Sequence, residues 1–379
     1  MFFLVSFFVP VGIATCFLWK GLKHELAIEF ARAVYGLYMP LAALEQRDYQ
    51  RILSPCKNDQ IGWPRQVEEE VLKENRAKAD EAPSHELPVT ESPSAAEESE
   101  QPVLPDEVGT HNEQQTFQEE MPAKINVVDL QQLADYNELV KQFYIIDSNT
   151  EADSSLLNAA KMSELDLTID KNTKGPQILI YHTHSQEKFA DSQEDDLYSG
   201  IVGVGEVLSN TLREKYGYQV LHHTAQFDKE DRDRAYSKAL PEIKQLLEEN
   251  PDIQVVIDLH RDECREDTRL VTEVNGKQTA RFMFFNGLSR TKKTGPISYL
   301  ENPYQEENLA FSFQMKVKSE EYYPGLARKN YLKGYRYNMH LCKRALLIEL
   351  GAQNNTYEEA VNACEPLAHL LDMVLTGNG

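Results

Sequence analysis

Apolar residues in this chain recur in two rhythms. Ile178-Leu179-Ile180-Tyr181, Val255-Val256-Ile257-Asp258-Leu259 and Ala345-Leu346-Leu347-Ile348 are short, nearly continuous runs. Runs of that length, rich in β-branched and aliphatic residues, read as buried strands. Between them apolar residues return every three or four positions, as on one face of a helix. The pattern predicts helices near 199–216 (Ile201, Val204, Val207, Leu208, Leu212), 234–249, 305–321 and 356–375. Gly217 stands where a helix is commonly closed by a left-handed residue. Strands are expected near 178–181, 218–222, 253–259 and 345–350. A hairpin of 269–274 with 280–285 is expected around Asn275-Gly276, since Asn-Gly suits the tight turn that matches strand twist. Alternation of this kind predicts an α/β fold: a mainly parallel sheet flanked by helices, with the hairpin as an antiparallel addition.

Upstream the pattern changes. Phe2 to Trp19 is apolar and uncharged, with Ser6 and Thr15 its polar members. At about 1.5 Å per residue it reaches roughly 27 Å, close to the hydrocarbon thickness of a bilayer. We therefore expect a transmembrane anchor at 1–20. A cleaved signal peptide is the competing reading, but no basic stretch precedes the run and no small-x-small site follows it before Lys20. Lys20 and Lys23 would by themselves hold the following chain in the cytoplasm; what the protein acts on must decide the orientation. A juxtamembrane helical segment is expected over 21–64. Residues 65–125 read as an acidic disordered linker: 66–125 holds 16 acidic against 4 basic residues, and six prolines. So little apolar surface cannot offset the ordering entropy of such a segment. Residues 126–174 are expected to form a helical lead-in that includes the extended-looking Tyr144-Ile145-Ile146, and Gly175-Pro176 opens the α/β domain expected over 175–379.

Composition narrows the partners. A net charge of -22 excludes a nucleic-acid binder, which needs cations to neutralise phosphates. Five scattered cysteines, with no CxxC, give no metal or framework spacing, and no structural disulfide is expected.

The chemistry sits at strand ends. The first run leads into His182, His184 and Glu187, the second into His260-Arg261-Asp262, the third into Glu349. Ligands of open α/β sheets bind outside the carboxyl ends of the strands, so these residues converge on one site. His184, Glu187 and His260 make a three-ligand zinc set with an open position for water, and Glu349 is left as the base. His182 can replace His184 as ligand, or contact substrate. Arg261 and Asp262 either pair or hold Glu349 and substrate. Arg281 heads the run Phe282 to Phe285 and has the same two readings. His222-His223, with no carboxylate nearby in sequence, reads as an edge feature.

The segments ILIYHTHSQEKF, QVVIDLHRDE, ARFMFFNGLS, EEYYPGLARKNYLKGYRYNMH and LLIELGAQNNTYEEA, in this order, resemble the stage II sporulation protein P family of cell-wall hydrolases, over about 126–376. The resemblance implies an amidase-like catalytic domain with Zn2+ held by His184, Glu187 and His260, and Glu349 as catalytic base. The middle ligand departs from the usual amidase position, which leaves Glu194 as an alternative to Glu187. It also implies peptidoglycan as substrate and cleavage of the bond between N-acetylmuramic acid and L-alanine, with endopeptidase activity on cross-links. Septal wall would be thinned during engulfment, with stage II sporulation proteins D and M as partners. The catalytic domain would then lie outside the cell membrane. A membrane-tethered zinc carboxypeptidase and a non-catalytic wall-binding scaffold are the competing readings.

Overall fold

The computed structural model describes residues 122–378. The expected anchor, the juxtamembrane helix and nearly all of the acidic linker lie outside them. Among the described residues no helix is long and apolar enough to cross a membrane.

The strands are β1 (Tyr144–Ile146), β2 (Ile178–Tyr181), β3 (Val220–His222), β4 (Val255–Asp262), β5 (Val271–Val274), β6 (Lys277–Ala280), β7 (Phe282–Gly287), β8 (Arg290–Thr291), β9 (Gly295–Pro296), β10 (Asn330–Lys333) and β11 (Ala345–Ala352). The helices are α1 (Tyr136–Phe143), α2 (Ala159–Glu164), α3 (Ile201–Glu214), α4 (Ala235–Glu249), α5 (Gln305–Tyr322), α6 (Tyr357–Asn362) and α7 (Cys364–Thr376). Seven strands form one sheet in the order β1-β10-β7-β11-β4-β2-β3. All neighbours are parallel except β7 and β11. The sheet is mainly parallel, as expected, but its direction reverses between β7 and β11, inside the sheet rather than at an edge.

Side-chain alternation divides the two faces. Ile178, Ile180, Val255, Ile257, Leu259, Leu346 and Ile348 bury against α3, α5 and α7. Leu179, Tyr181 and Val256 face α4 on the other side. Burying one such side chain is worth about 1.5–3 kcal/mol. Asp258 and His260 follow Val256 at intervals of two, so they share the α4 face. Glu349 pairs in register with His260.

Several expectations need adjustment. The hairpin forms around Asn275 and Gly276, whose φ angles of 51° and 75° suit the tight turn. Its second strand ends at Ala280, however, and 282–287 departs as β7 to enter the main sheet. The long last helix is two, α6 and α7. β10 was not anticipated, and β1, within the stretch read as a lead-in, pairs with it at the sheet edge. Gly217 closes α3 with φ 70°. Cys342 and Cys364 are free thiols.

Candidate functional site

Glu187, His260 and Glu349 are brought together at the carboxyl ends of β4 and β11, under the turn that follows β2, and all three are buried. Glu187 is anchored from two sides. Arg232 Nη2 donates to its Oε1 at 2.9 Å and the Arg261 backbone N–H to its Oε2 at 2.9 Å. The same Oε2 lies 3.5 Å from His260 Nδ1. Burial alone would raise the proton affinity of Glu187, but His260, Arg261 and His184 hold it below the ordinary carboxylate value.

On its other side His260 meets Asp258, whose Oδ1 lies 2.8 Å from Nε2 without the directionality of a hydrogen bond. Asp258 accepts from the Thr183 N–H and hydroxyl at 2.8 and 2.6 Å, fastening the turn after β2 to β4. Burial opposes charge on His260, yet Asp258 and Glu187 raise its proton affinity well above the ordinary value. Two buried carboxylates thus require a positive charge between them. Glu349 is the converse case. Burial first, then Asp262 and Glu187, push its pKa up to about 8. Its Oε2 has no hydrogen-bond partner. A carboxyl group poised near neutrality can take and return a proton.

His184 sits beside His260, ring centroids 5.3 Å apart and edge-on, and both rings contact Tyr236. Its Nδ1 is buried without a hydrogen bond, 3.7 Å from Asp228 Oδ2. His182 goes elsewhere. The chain turns at 183–186, so the two rings do not share a direction as they would on an extended strand. His182 Nδ1 bonds Leu259 O at 2.7 Å and its Nε2 meets His222 Nε2 at 2.9 Å. Both its nitrogens are thus engaged under α3, whereas His184 Nδ1 has no hydrogen-bond partner. Gly205 of α3 packs directly on the pair: a Cβ there would fall 2.6 Å from His182 Nε2 and 2.8 Å from His222 Nε2. His222 and His223 are likewise not bare edge residues, since they pair with Glu206 and Glu242.

The remaining candidates are held by the following contacts. Arg261 turns its guanidinium to the Lys188 and Asp262 carbonyls, so it and Asp262 do not form a side-chain pair. Asp262 instead pairs at 2.6 Å with Arg328, which had not been singled out. Arg281 donates to Gly325 O. Glu194 is exposed in the loop before α3, so Glu187 is the acidic residue at the site. Asp258, Asp228, Arg232 and Tyr236 were also missed. Only Asp258 carried a signal, as a lone acid inside an apolar run.

Among the described residues no three His, Cys, Asp or Glu donors converge as a finished metal cage. The donors nevertheless fit one in kind. His184 Nδ1 and Glu349 Oε2 are buried and orphaned, and the carboxylates around His260 favour a cation. Glu187 Oε2 and His260 Nδ1, at 3.5 Å, are close to the roughly 3.3 Å that separates two ligands on a tetrahedral zinc.

Known proteins resemble this chain. The model of the family described as stage II sporulation protein P matches residues 58–372. The stage II sporulation protein P of Bacillus subtilis (strain 168) is 27% identical over 267 residues, 66% of this chain and 60% of that protein, so the match spans less than two thirds of that relative. Among solved structures, the catalytic domain of the CD27L endolysin targeting Clostridia difficile is 16% identical, with a TM-score of 0.33 over 53% of this chain and 97% of that one. The N-acetylmuramoyl-L-alanine amidase from Clostridium difficile 630 is 15% identical, with a TM-score of 0.32 over 55% and 100%. At these scores the structural likenesses carry no weight. The family match, covering most of the sequence, is decisive: the chain belongs to the stage II sporulation protein P family.

Proposed function

We propose that this protein is a zinc-dependent peptidoglycan hydrolase of sporulation, an N-acetylmuramoyl-L-alanine amidase with endopeptidase activity on cross-links. Family membership supports the substrate class. The single observation that carries the chemistry is the buried convergence of His184, Glu187, His260 and Glu349 at one sheet edge.

His184, Glu187 and His260 would hold the metal. Zinc, when bound, would supply Lewis acidity toward the scissile carbonyl and the attacking water. Asp258 keeps His260 oriented, as carboxylates behind ligating histidines do. Glu349 takes a proton from water as its oxygen bonds to the carbonyl carbon, and returns it to the amine as the C–N bond breaks. The products are a lactyl carboxylate on the glycan and a stem peptide with a free L-alanine amino group.

Peptidoglycan as substrate requires the catalytic domain to lie outside the cytoplasmic membrane. The apolar 2–19 segment then serves as its anchor and the acidic linker as its reach. Stage II sporulation proteins D and M are the partners the family suggests. Protease protection of the carboxyl-terminal domain in intact cells would contradict this placement. The chemistry is tested by mass spectrometry of material released from purified sacculi. Stem peptides beginning with L-alanine, lost on chelation and restored by zinc, are expected. Release of D-alanine alone would make the protein a carboxypeptidase. Binding without release would make it a scaffold.

A further inference from the structure

Because strand direction reverses between β7 and β11, this sheet has carboxyl ends at both rims. The candidate site uses those of β2, β4 and β11. At the opposite rim the carboxyl ends of β1 and β10, together with the β8–β9 hairpin that follows β7, surround a cavity of about 670 Å3. That volume is ordinary for a small-ligand site. Its lining reverses the sign of the protein. Lys292 and Lys293 line it beside one acid, Asp147, in a chain of net charge -22. Lys292 and Lys293 are exposed and form no ion pair among the described residues, whereas the neighbouring Arg290 is paired with Glu151 at 2.9 Å. Tyr299, 46% exposed, offers an aromatic surface at the same cavity, and Asn149 an amide.

Anionic groups account for the lysines. The exposed ring suits the apolar face of a sugar, since tyrosine combines a flat hydrophobic body with a polar tip. We propose that this second rim binds a carboxylate-bearing saccharide. The ligand's identity, though not the site, rests on the proposed amide cleavage: every cut leaves a lactyl carboxylate on the glycan. The cavity would then hold strands already stripped of peptide and keep the enzyme on the wall it is digesting.

The test is direct binding of the full chain to peptide-free glycan strands, with an uncharged N-acetylglucosamine tetramer and free stem peptide as alternative probes. Stripped strands should bind at least tenfold more tightly than the tetramer, and should weaken with salt, because exposed charges are screened. Lys292→Gln with Lys293→Gln should lower that affinity at least tenfold. Cleavage of a small soluble muropeptide should stay within twofold of the parent. Unchanged binding by the double variant overturns the proposal, as do equal binding of the uncharged tetramer and displacement of stripped strands by free stem peptide. Failure of the parent protein to release stem peptides would instead refute the hydrolase reading, whatever the binding result.

Discussion

The two rims of the sheet treat charge in opposite ways. At the carboxyl ends of β4 and β11 the ionisable groups are buried and held against one another, so Glu187, Asp258, His260 and Glu349 each alter the proton affinity of a neighbour. At the opposite rim Lys292 and Lys293, in the β8–β9 hairpin, stand in solvent. A buried group whose charge opposes or needs another is costly to leave unmatched, whereas an exposed one is nearly indifferent. The first rim suits the proposed chemistry, the second reversible binding.

Substitutions can break this contrast. The largest effect is expected at the buried rim: His260→Ala or Glu349→Gln should lower sacculus digestion by about a thousandfold or more, the scale for losing a group that acts in the transition state. Full digestion by either variant, with the fold verified by circular dichroism, would remove the site. Next comes stability. The folded-state pKa of Glu349 lies above its unfolded value, so metal-free protein should lose stability as pH rises from about 4.5 toward 8. Glu349→Gln should therefore raise stability at pH 8.5, by up to about 5 kcal/mol, and the gain should vanish near pH 4.5. A gain independent of pH in thermal melts would deny the titration. Asp258→Asn should cost about 10–100-fold in metal affinity or activity, since it acts through His260; metal titration of the variant measures it. The smallest effect belongs to the other rim. Lys292→Ala should move unfolding free energy by no more than about 0.5 kcal/mol in denaturant titration.

The same contrast explains what the sequence could reveal. Strands β2, β4 and β11 are buried on both faces, so they appear as apolar runs, and the candidate ligands closing each run are conspicuous. β10, Asn330-Tyr331-Leu332-Lys333, is short and half polar and has no such contrast with its flanks. Its lysine therefore resembled any solvated residue. The reversal at β7 was hidden for a different reason. Phe282 to Phe285 is as apolar as a parallel core strand, and Asn275-Gly276 just upstream drew it into the hairpin. Partners such as Arg232 and Arg328 lie far along the chain from Glu187 and Asp262, and only folding brings them near. The His182–His184 ambiguity depended on whether the backbone stays extended for two more residues, and it does not.

Gly205 shows how far the reach of one hydrogen atom extends. It lies on a helix that contributes no candidate ligand, yet the ring it supports grips the carbonyl of Leu259, the residue before His260. A methyl group at 205 would displace that ring, and the displacement would pass through a single carbonyl to the imidazole on which the proposed chemistry depends. Such overpacking should also cost about 1–3 kcal/mol of stability, so this helix position is held to glycine by its neighbours alone.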